Sequence, residues 1–328
     1  MTQDVWQAVA LSRAVRQTPK RVLLDGVPVV LFRGRDGAIA ALHDRCPHRF
    51  ASLSEGRCLD GEIQCPYHGW RFASDGRCTA IPGHVGPLPT LRAQALTVTE
   101  AEGAIFLSTG TPQAAPYVHC LTGQDVITRR VTSATRSTLI DTAENILDAT
   151  HTHFTHRGLL RGLGTKRYAV DVAITGGPGW VEATYTGEDR QQGLISKLLE
   201  GARVRTVGRY RHPGIAELEY WGPNGIVLAT TFHLRQADAE TVEGVGWLMG
   251  PKQAGLGYLK ALAFKPMFRL ALDQDRRVLS RAFDNARLLP TARPVIGPLD
   301  ILREDIARIA AGEMPKAAQT PRRVQIAL

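Results

Sequence analysis

Apolar and polar positions change rhythm about a third of the way along the 328-residue chain. In residues 1–110 the apolar residues come in short runs, Arg21–Phe32 and Ala104–Ser108 among them. The turn pairs Asp25-Gly26, Asp36-Gly37, Asp60-Gly61, Asp75-Gly76 and Pro82-Gly83 punctuate them. Short strands at close intervals with turns between them predict a compact β domain. Thr109–Pro116 (TGTPQAAP) reads as a linker. Beyond it the pattern is mixed. Asp141–Phe154 has helical periodicity, with Asp141 or Thr142 as N-cap and Glu144 in the first turn. Tyr168–Thr186 and Gly214–Gly246 alternate as strands do, and Leu256–Ala286 is a long helical stretch with a break expected near Pro266. Asp300–Ala311 reads as a last amphipathic helix capped by Asp300. The expected class is α+β: an all-β domain over residues 1–113, then an α+β domain over 114–328. That agrees with a prior of roughly 150 residues per domain.

Composition narrows the class. With 44% hydrophobic and 22% charged residues the chain is an ordinary globular one, not a disordered or low-complexity one. No apolar run reaches the roughly 18 residues of a membrane span. Met1–Ala10 lacks the basic start and apolar core of a secretory signal, so a cytoplasmic location is expected. Lys+Arg 40 against Asp+Glu 31 makes a net charge of +9. The basic residues are dispersed from Arg13 to Arg323, which argues against nucleic acid and suits docking of an acidic protein partner. Five cysteines, an odd count, argue against a disulfide framework.

The densest chemistry is Cys46-Pro-His48, sixteen residues, then Cys65-Pro-Tyr-His68-Gly-Trp. Two thiols and two imidazoles on two tight loops suit either a zinc ion or a Rieske [2Fe–2S] centre, in which two Cys hold one iron and two His the other. Each loop offers one Cys and one His, the arrangement of two fingers clamping a cluster, whereas zinc fingers usually keep the two pairs apart. Cys58, Cys78 and Cys120 fall outside the pattern and read as packing residues.

A second cluster follows in Asn145, Asp148, His151, His153 and His156. On a helix Asn145, Asp148 and His151 share roughly one face. His156 joins His151 only if the helix ends or bulges near Phe154, and His153 points elsewhere. Two histidines and one carboxylate form a facial triad for non-haem Fe(II). Leu270–Asn285 offers Asp273, Asp275 and Asp284. Asp275 has Ala271, Leu272, Val278, Leu279 and Ala282 at helical offsets and sits on the apolar stripe, where a charge needs a partner. Asp273 and Asp284 fall among arginines and read as solvated.

Together the motifs resemble those of the Rieske non-haem iron oxygenases. C-x-H-x16-C-x-x-H is that family's cluster motif, and Asn145…Asp148…His151…His156 matches its N-x-x-D-x-x-H-x4-H element. Gln274-Asp275-Arg-Arg-Val-Leu is similar to its late E-D-x-x-V-L element, with Gln in place of Glu. In length the chain is similar to the short, homotrimeric monooxygenases of the vanillate and dicamba O-demethylase type.

The resemblance implies a Rieske β domain, a helix-grip catalytic domain, and one [2Fe–2S] cluster and one mononuclear Fe(II) per chain. It implies that Cys46, His48, Cys65 and His68 hold the cluster, and that His151, His156 and Asp275 hold the iron. Asp148 would then bridge the cluster of one subunit to the iron of the next, with Asn145 either behind the ligands or a distant weak ligand. A ferredoxin or flavin reductase would supply electrons, ultimately from NAD(P)H. With O₂ they would hydroxylate or demethylate a small cyclic or aromatic substrate. Ring cis-dihydroxylation, desaturation and pure electron transfer are the alternatives. The substrate pocket is expected along the strands around residues 226–234 and 244–248, with Val227, Thr231, His233 and Trp247 as lining.

Overall fold

A computed structural model describes residues 5–164, 166–187, 203–252 and 256–328. The first four residues, part of the N-terminal segment read above, lie outside it. Contacts divide the chain into two units, Met1–Val118 with Ala237–Ala239, and His119–Gln236 with Glu240–Leu328. Among the described residues no helix is long and apolar enough to cross a membrane.

The first unit is built of strands. They are β1 (Gln7–Leu11), β2 (Lys20–Leu24), β3 (Val27–Arg33), β4 (Ile39–His43), β5 (Arg57–Leu59), β6 (Glu62–Gln64), β7 (Arg71–Phe72), β8 (Cys78–Ala80), β9 (Thr97–Ala101) and β10 (Ala104–Ser108). Three small antiparallel sheets result, β1-β10-β9, β2-β3-β4 and β5-β6-β7-β8. The run read as Arg21–Phe32 is the β2–β3 hairpin, its turn at Asp25 and Gly26, both at positive φ. Val30, Phe32, Leu42, Leu53, Ile63 and Phe72 form a core that also takes in Cys46, Cys65 and Cys78, with Cys58 packed against it. The connection β4–β5 carries Cys46 and the β6–β7 hairpin carries Cys65, so both loops spring from this core. Asp44 clamps the base of the first: its carboxylate accepts from Ser54 N–H at 2.7 Å and Ser54 O–H at 2.6 Å. At the base of the second, a Cβ on Gly56 would stand 1.9 Å from the carbonyl oxygen of Gln64. Gly56→Ala must therefore push Gln64 and with it Cys65. We expect a loss of about 1–3 kcal/mol, read by denaturant unfolding.

The second unit is a large sheet with helices on one face. Its elements are β11 (Val126–Arg136), α1 (Leu139–Leu147), α2 (Thr152–Thr155), β12 (Ala169–Gly177), β13 (Trp180–Thr186), β14 (Arg205–Arg211), β15 (Ile215–Gly222), β16 (Gly225–Gln236), β17 (Thr241–Pro251), α3 (Leu256–Leu288), α4 (Arg303–Ala310), α5 (Lys316–Gln319) and β18 (Arg322–Ala327). Eight strands run antiparallel in the order β11-β17-β16-β15-β14-β13-β12-β18. The α+β class is thus observed.

Three helix boundaries differ from those read in the sequence. α1 begins at Leu139 because Thr138 caps it, accepting from Asp141 N–H at 3.1 Å. It stops at Asp148, well before Phe154, because the Asp148 carboxylate takes the N–H groups of Thr150 and His151 that a continuing helix would use. α3 runs through Pro266 as one helix. α4 starts at Arg303, and Asp300 accepts instead from Gly297 N–H at 2.6 Å. On α1, Ala143 and Leu147 lie one turn apart on the buried face, within a core that includes Ile306 and Ile309 of α4, Val172, Tyr210 and Phe232. Arg303 ties α4 to α1 by ion pairs with Asp141 and Glu144.

Candidate metal centres

The two cysteine loops close with one hydrogen-bond pattern. Cys46 N–H donates to Ala51 O at 2.9 Å and Phe50 N–H to Cys46 O at 2.9 Å; Cys65 N–H donates to Trp70 O at 2.8 Å and Gly69 N–H to Cys65 O at 3.1 Å. The fourth residue after each cysteine, Phe50 or Gly69, has positive φ. The loops are conformational twins, and they turn the same two kinds of ligand to the same sides. Both thiols are buried and form no disulfide, while His48 and His68 are exposed with ring centroids 4.7 Å apart. Trp70 stacks on His48 at 4.5 Å and Tyr67 on His68 at 3.8 Å, so each ring is held in place.

Burial, with Cys65 alongside, pushes the Cys46 thiol up to about 11, against the backbone N–H groups of His48 and Arg49 that point at its sulfur. Two adjacent buried thiols become thiolates only beside positive charge. An inner sulfur pair and an outer imidazole pair fit a cluster with unlike ends better than a single tetrahedral ion.

The second site lies in the other unit. The break at Asp148 sets His151 just before α2 and His156 just after it, and α3 brings Asp275 opposite. His151 Nε2 and His156 Nε2 are 3.3 Å apart, and Asp275 Oδ1 lies 3.5 Å from the first and 3.0 Å from the second. An ion about 2.0–2.2 Å from three such donors spans edges of about 2.8–3.6 Å between right-angled and tetrahedral geometry. His156 Nδ1–H donates to Gln274 Oε1 at 2.8 Å, so Nε2 is the ring nitrogen turned toward the carboxylate and the His151 ring. Such an arrangement calls for a cation between the two. Asp275 Oδ1 is buried without a hydrogen-bond partner, consistent with that. Burial disfavours a charged His151, but Asp148 and Asp275 outweigh it and hold its proton up to about 9 in the metal-free chain. Asp275 is 18% exposed, against 61% for Asp273 and 46% for Asp284.

Asp148 is the C-cap of α1. Its Oδ1 accepts from Thr150 N–H and O–H, both at 2.7 Å, and its Oδ2 from His151 N–H at 3.1 Å. Oδ2 lies 3.5 Å from His151 Nδ1, where the coupling is chiefly electrostatic. Despite burial, these donors keep the carboxyl below the usual range.

Comparisons with known proteins bear on both sites. Residues 5–92 match the Rieske [2Fe-2S] domain family. The oxygenase component of dicamba O-demethylase from Stenotrophomonas maltophilia is 39% identical over 112 residues, 34% of this chain and 33% of that protein. The 4beta-methylsterol monooxygenase of Methylococcus capsulatus is 37% identical over 117 residues, 34% of this chain and 32% of that protein. The matched segment thus spans about a third of these relatives' length. The whole fold is shared more widely. A crystal structure of dicamba monooxygenase bound to 3,6-dichlorosalicylic acid superposes with a TM-score of 0.82 over 95% of this chain and 97% of that one, at 20% identity. The structure of Pseudomonas putida CBB5 NdmA with caffeine does so at 0.71, over 97% and 96%, at 18% identity.

Residues 5–92 form a Rieske [2Fe-2S] domain.

In the second unit a cavity opens beside the His151–His156–Asp275 triangle, lined by Leu218, Leu228, Thr230 and Phe232 of the sheet and by Phe268 and Leu272 of α3. Asn145 and Asp148 border it. Val227, Thr231, His233 and Trp247 do not line it. They share a strand face, as alternation demands, but it is the face turned away from the triangle. Register sets Glu182, Arg209, Glu217, Thr231 and Trp247 in one row there. Thr231 O–H donates to Glu217 at 3.2 Å, Arg209 donates to Glu182 at 2.7 Å and Glu217 at 3.1 Å, and His233 packs edge-on against Trp247. Thr231, His233 and Trp247 are buried within the sheet and Val227 is half-buried, so none takes the place on the cavity wall read in the sequence.

Trp70, Tyr67 and Gln274 support the candidate ligands, and spacing does not single them out for that, since each acts through a neighbour brought up by the fold. Gln274 is the most testable. Gln274→Leu leaves His156 Nδ1–H, on a residue 1% exposed, with no acceptor. We expect ferrous affinity to fall about 10- to 100-fold by anaerobic titration, and Gln274→Glu, which keeps an acceptor there, to retain it.

Proposed function

We propose that this protein is the terminal oxygenase component of a Rieske monooxygenase, an oxidoreductase that hydroxylates or O-/N-demethylates a small cyclic or aromatic substrate with O₂. The observation that carries the reading is the three-donor triangle facing a largely apolar cavity, in a chain whose other unit holds the Cys/His clamp. Cys46, Cys65, His48 and His68 would hold one [2Fe–2S] cluster, and His151, His156 and Asp275 one Fe(II). When bound, the cluster supplies an electron and the iron supplies the O₂ chemistry. The chain's own part is to place and insulate. Gln274 fixes the His156 tautomer, Asp148 and the Thr150 turn aim His151, and Leu218, Leu228, Phe232 and Phe268 keep water from the substrate.

Asp148 is further proposed to couple the iron ligand His151 to the partner subunit's His68 across a homotrimer contact. A carboxylate hydrogen-bonded to both imidazoles would fix each tautomer and link the centres electrostatically. A reductase or ferredoxin with an acidic face is the proposed electron donor. The net charge of +9 favours its approach, so reductase-driven turnover should fall as ionic strength rises; a flat salt profile speaks against that docking.

The test of the main reading is iron content together with products. About three iron atoms per chain, a brown colour and oxygen uptake coupled to a hydroxylated product or formaldehyde support it. About two iron atoms per chain and no oxygen uptake across a substrate screen would indicate an electron carrier instead.

A further inference from the structure

Between the two imidazoles of the triangle lies only α2, four residues long. A single helical turn is marginal without outside support, so the 3.3 Å between His151 Nε2 and His156 Nε2 has to be held from elsewhere. The chain after His156 winds around that residue's own carbonyl. Leu159 and Leu160 N–H donate to His156 O at 3.0 Å each and Arg161 N–H at 3.4 Å, while Gly158 N–H returns to Arg161 O at 2.7 Å. Gly158 takes a φ of 81° there, a left-handed backbone that favours glycine. The Arg161 backbone is thereby tied to His156. Its side chain ties to the other histidine. Arg161 Nε donates to Thr152 Oγ1 at 2.8 Å, and Thr152 O–H donates to Ala149 O at 2.7 Å. Two hydrogen bonds in series thus join the loop behind His156 to the turn that carries His151. Asp148 holds the same turn by accepting from Thr150 and His151 N–H. Arg161 is 6% exposed and lines the cavity beside the triangle. A guanidinium is costly to bury, and an apolar side chain would fill that wall at less cost, so its presence points to a directed bond that the site needs.

We propose that Arg161 is a positioning residue for the metal triangle, a strut running from the His156 loop through Thr152 to Ala149 that fixes the separation and angle of the two imidazoles. The guanidinium suits this task because Nε donates from a rigid planar group, whereas an ammonium on a flexible stem fixes no direction. Without the strut, α2 opens and the two nitrogens no longer meet one ion at matched distances. The strut deepens the oxygenase reading and rests on it for His151, His156 and Asp275 as ligands of Fe(II). A role of Arg161 in holding substrate alone would leave affinity for the ion unchanged.

The experiment is an anaerobic titration of the full chain, cluster in place, with ferrous ion as the only probe. The part of the binding that Asp275→Ala abolishes is assigned to the triangle. Thr152→Val and Arg161→Lys both preserve the charge around the site, so any loss reports the strut. We expect Thr152→Val to weaken ferrous binding about tenfold and Arg161→Lys several-fold. The double variant should bind no more weakly than Thr152→Val alone, because both changes break one connection. Thr152→Ser, which keeps the hydroxyl, should bind near the wild-type level. Paramagnetic resonance of the ferrous site, with nitric oxide added as a reporter, should show an altered signal in Thr152→Val and Arg161→Lys and the wild-type signal in Thr152→Ser. Denaturant unfolding of each variant separates a weakened fold from a distorted site, and Arg161→Lys carries the test if Thr152→Val does not fold. The strut is overturned if the folded variants bind and signal as wild type does, whatever their stability, or if the two losses add in the double variant. Wild-type protein that takes up no Asp275-dependent iron overturns the ligand reading and the strut together, which tells the two failures apart.

Discussion

Asp275→Ala should yield protein that keeps the visible spectrum of the cluster but holds about two iron atoms per chain in place of about three, with oxygen-dependent turnover lowered by at least about 100-fold. The reason is geometric. Asp275 Oδ1 is the corner of the triangle that lies 3.0 and 3.5 Å from the two imidazole nitrogens, and the two nitrogens alone, 3.3 Å apart, make an incomplete site. The carboxylate also carries the negative charge that neutralises part of the ion's charge in a largely buried setting. Asp273→Ala is the matched control. That residue is 61% exposed two positions away and pairs only loosely with Arg276 at 3.5 Å, so iron content and turnover should stay near wild type. Full iron occupancy in Asp275→Ala would remove the aspartate from the ligand set.

Asp148→Asn should have the opposite signature, with iron content intact and turnover reduced about 10- to 100-fold. Its carboxylate organises the turn between α1 and α2 by accepting from Thr150 and His151, and it faces His151 Nδ1 at 3.5 Å. Asparagine keeps one acceptor oxygen but turns an N–H₂ group toward the His151 N–H and removes the charge. The turn should survive at a cost of about 1–2 kcal/mol, readable by denaturant unfolding. Reduction of the cluster by the proposed reductase should be unchanged, whereas reoxidation of the cluster in the presence of substrate and O₂, followed by stopped-flow absorbance, should slow. Reoxidation at the wild-type rate would sink the bridging role while leaving the ligand assignment untouched.

Parts of this protein were legible without coordinates because their signals are local. Cys46, His48, Cys65 and His68 lie within 23 residues, and their residue types already restrict the chemistry. The β class of the first unit follows from the turn pairs, several of which occupy positive-φ turns, as at Gly26, Gly37, Gly61 and Gly76. Asp275 could be told from Asp273 and Asp284 because helical periodicity separates a buried stripe from a solvated one. The end of α1 was harder. Periodicity continues through residues 148–154, and only the Asp148 side chain, competing for the N–H groups of Thr150 and His151, shows where the helix stops.

What the linear order determined, then, is the set of candidate ligands and the change of pattern between the two parts, since both rest on residue type and on spacing within one element. What the tertiary structure alone decided is which face of the sheet matters. Alternation separates Val227, Thr231 and His233 from Leu228, Thr230 and Phe232, yet it is symmetric between the two sets. The choice is made by α1 and α3, which lay Leu147 beside Gly208 and Phe268 on Phe232, and so assign the cavity to the even-numbered residues of β16. Arg203 reaches that cavity from outside any motif, because its guanidinium finds Tyr220 only after β14 and β15 have paired.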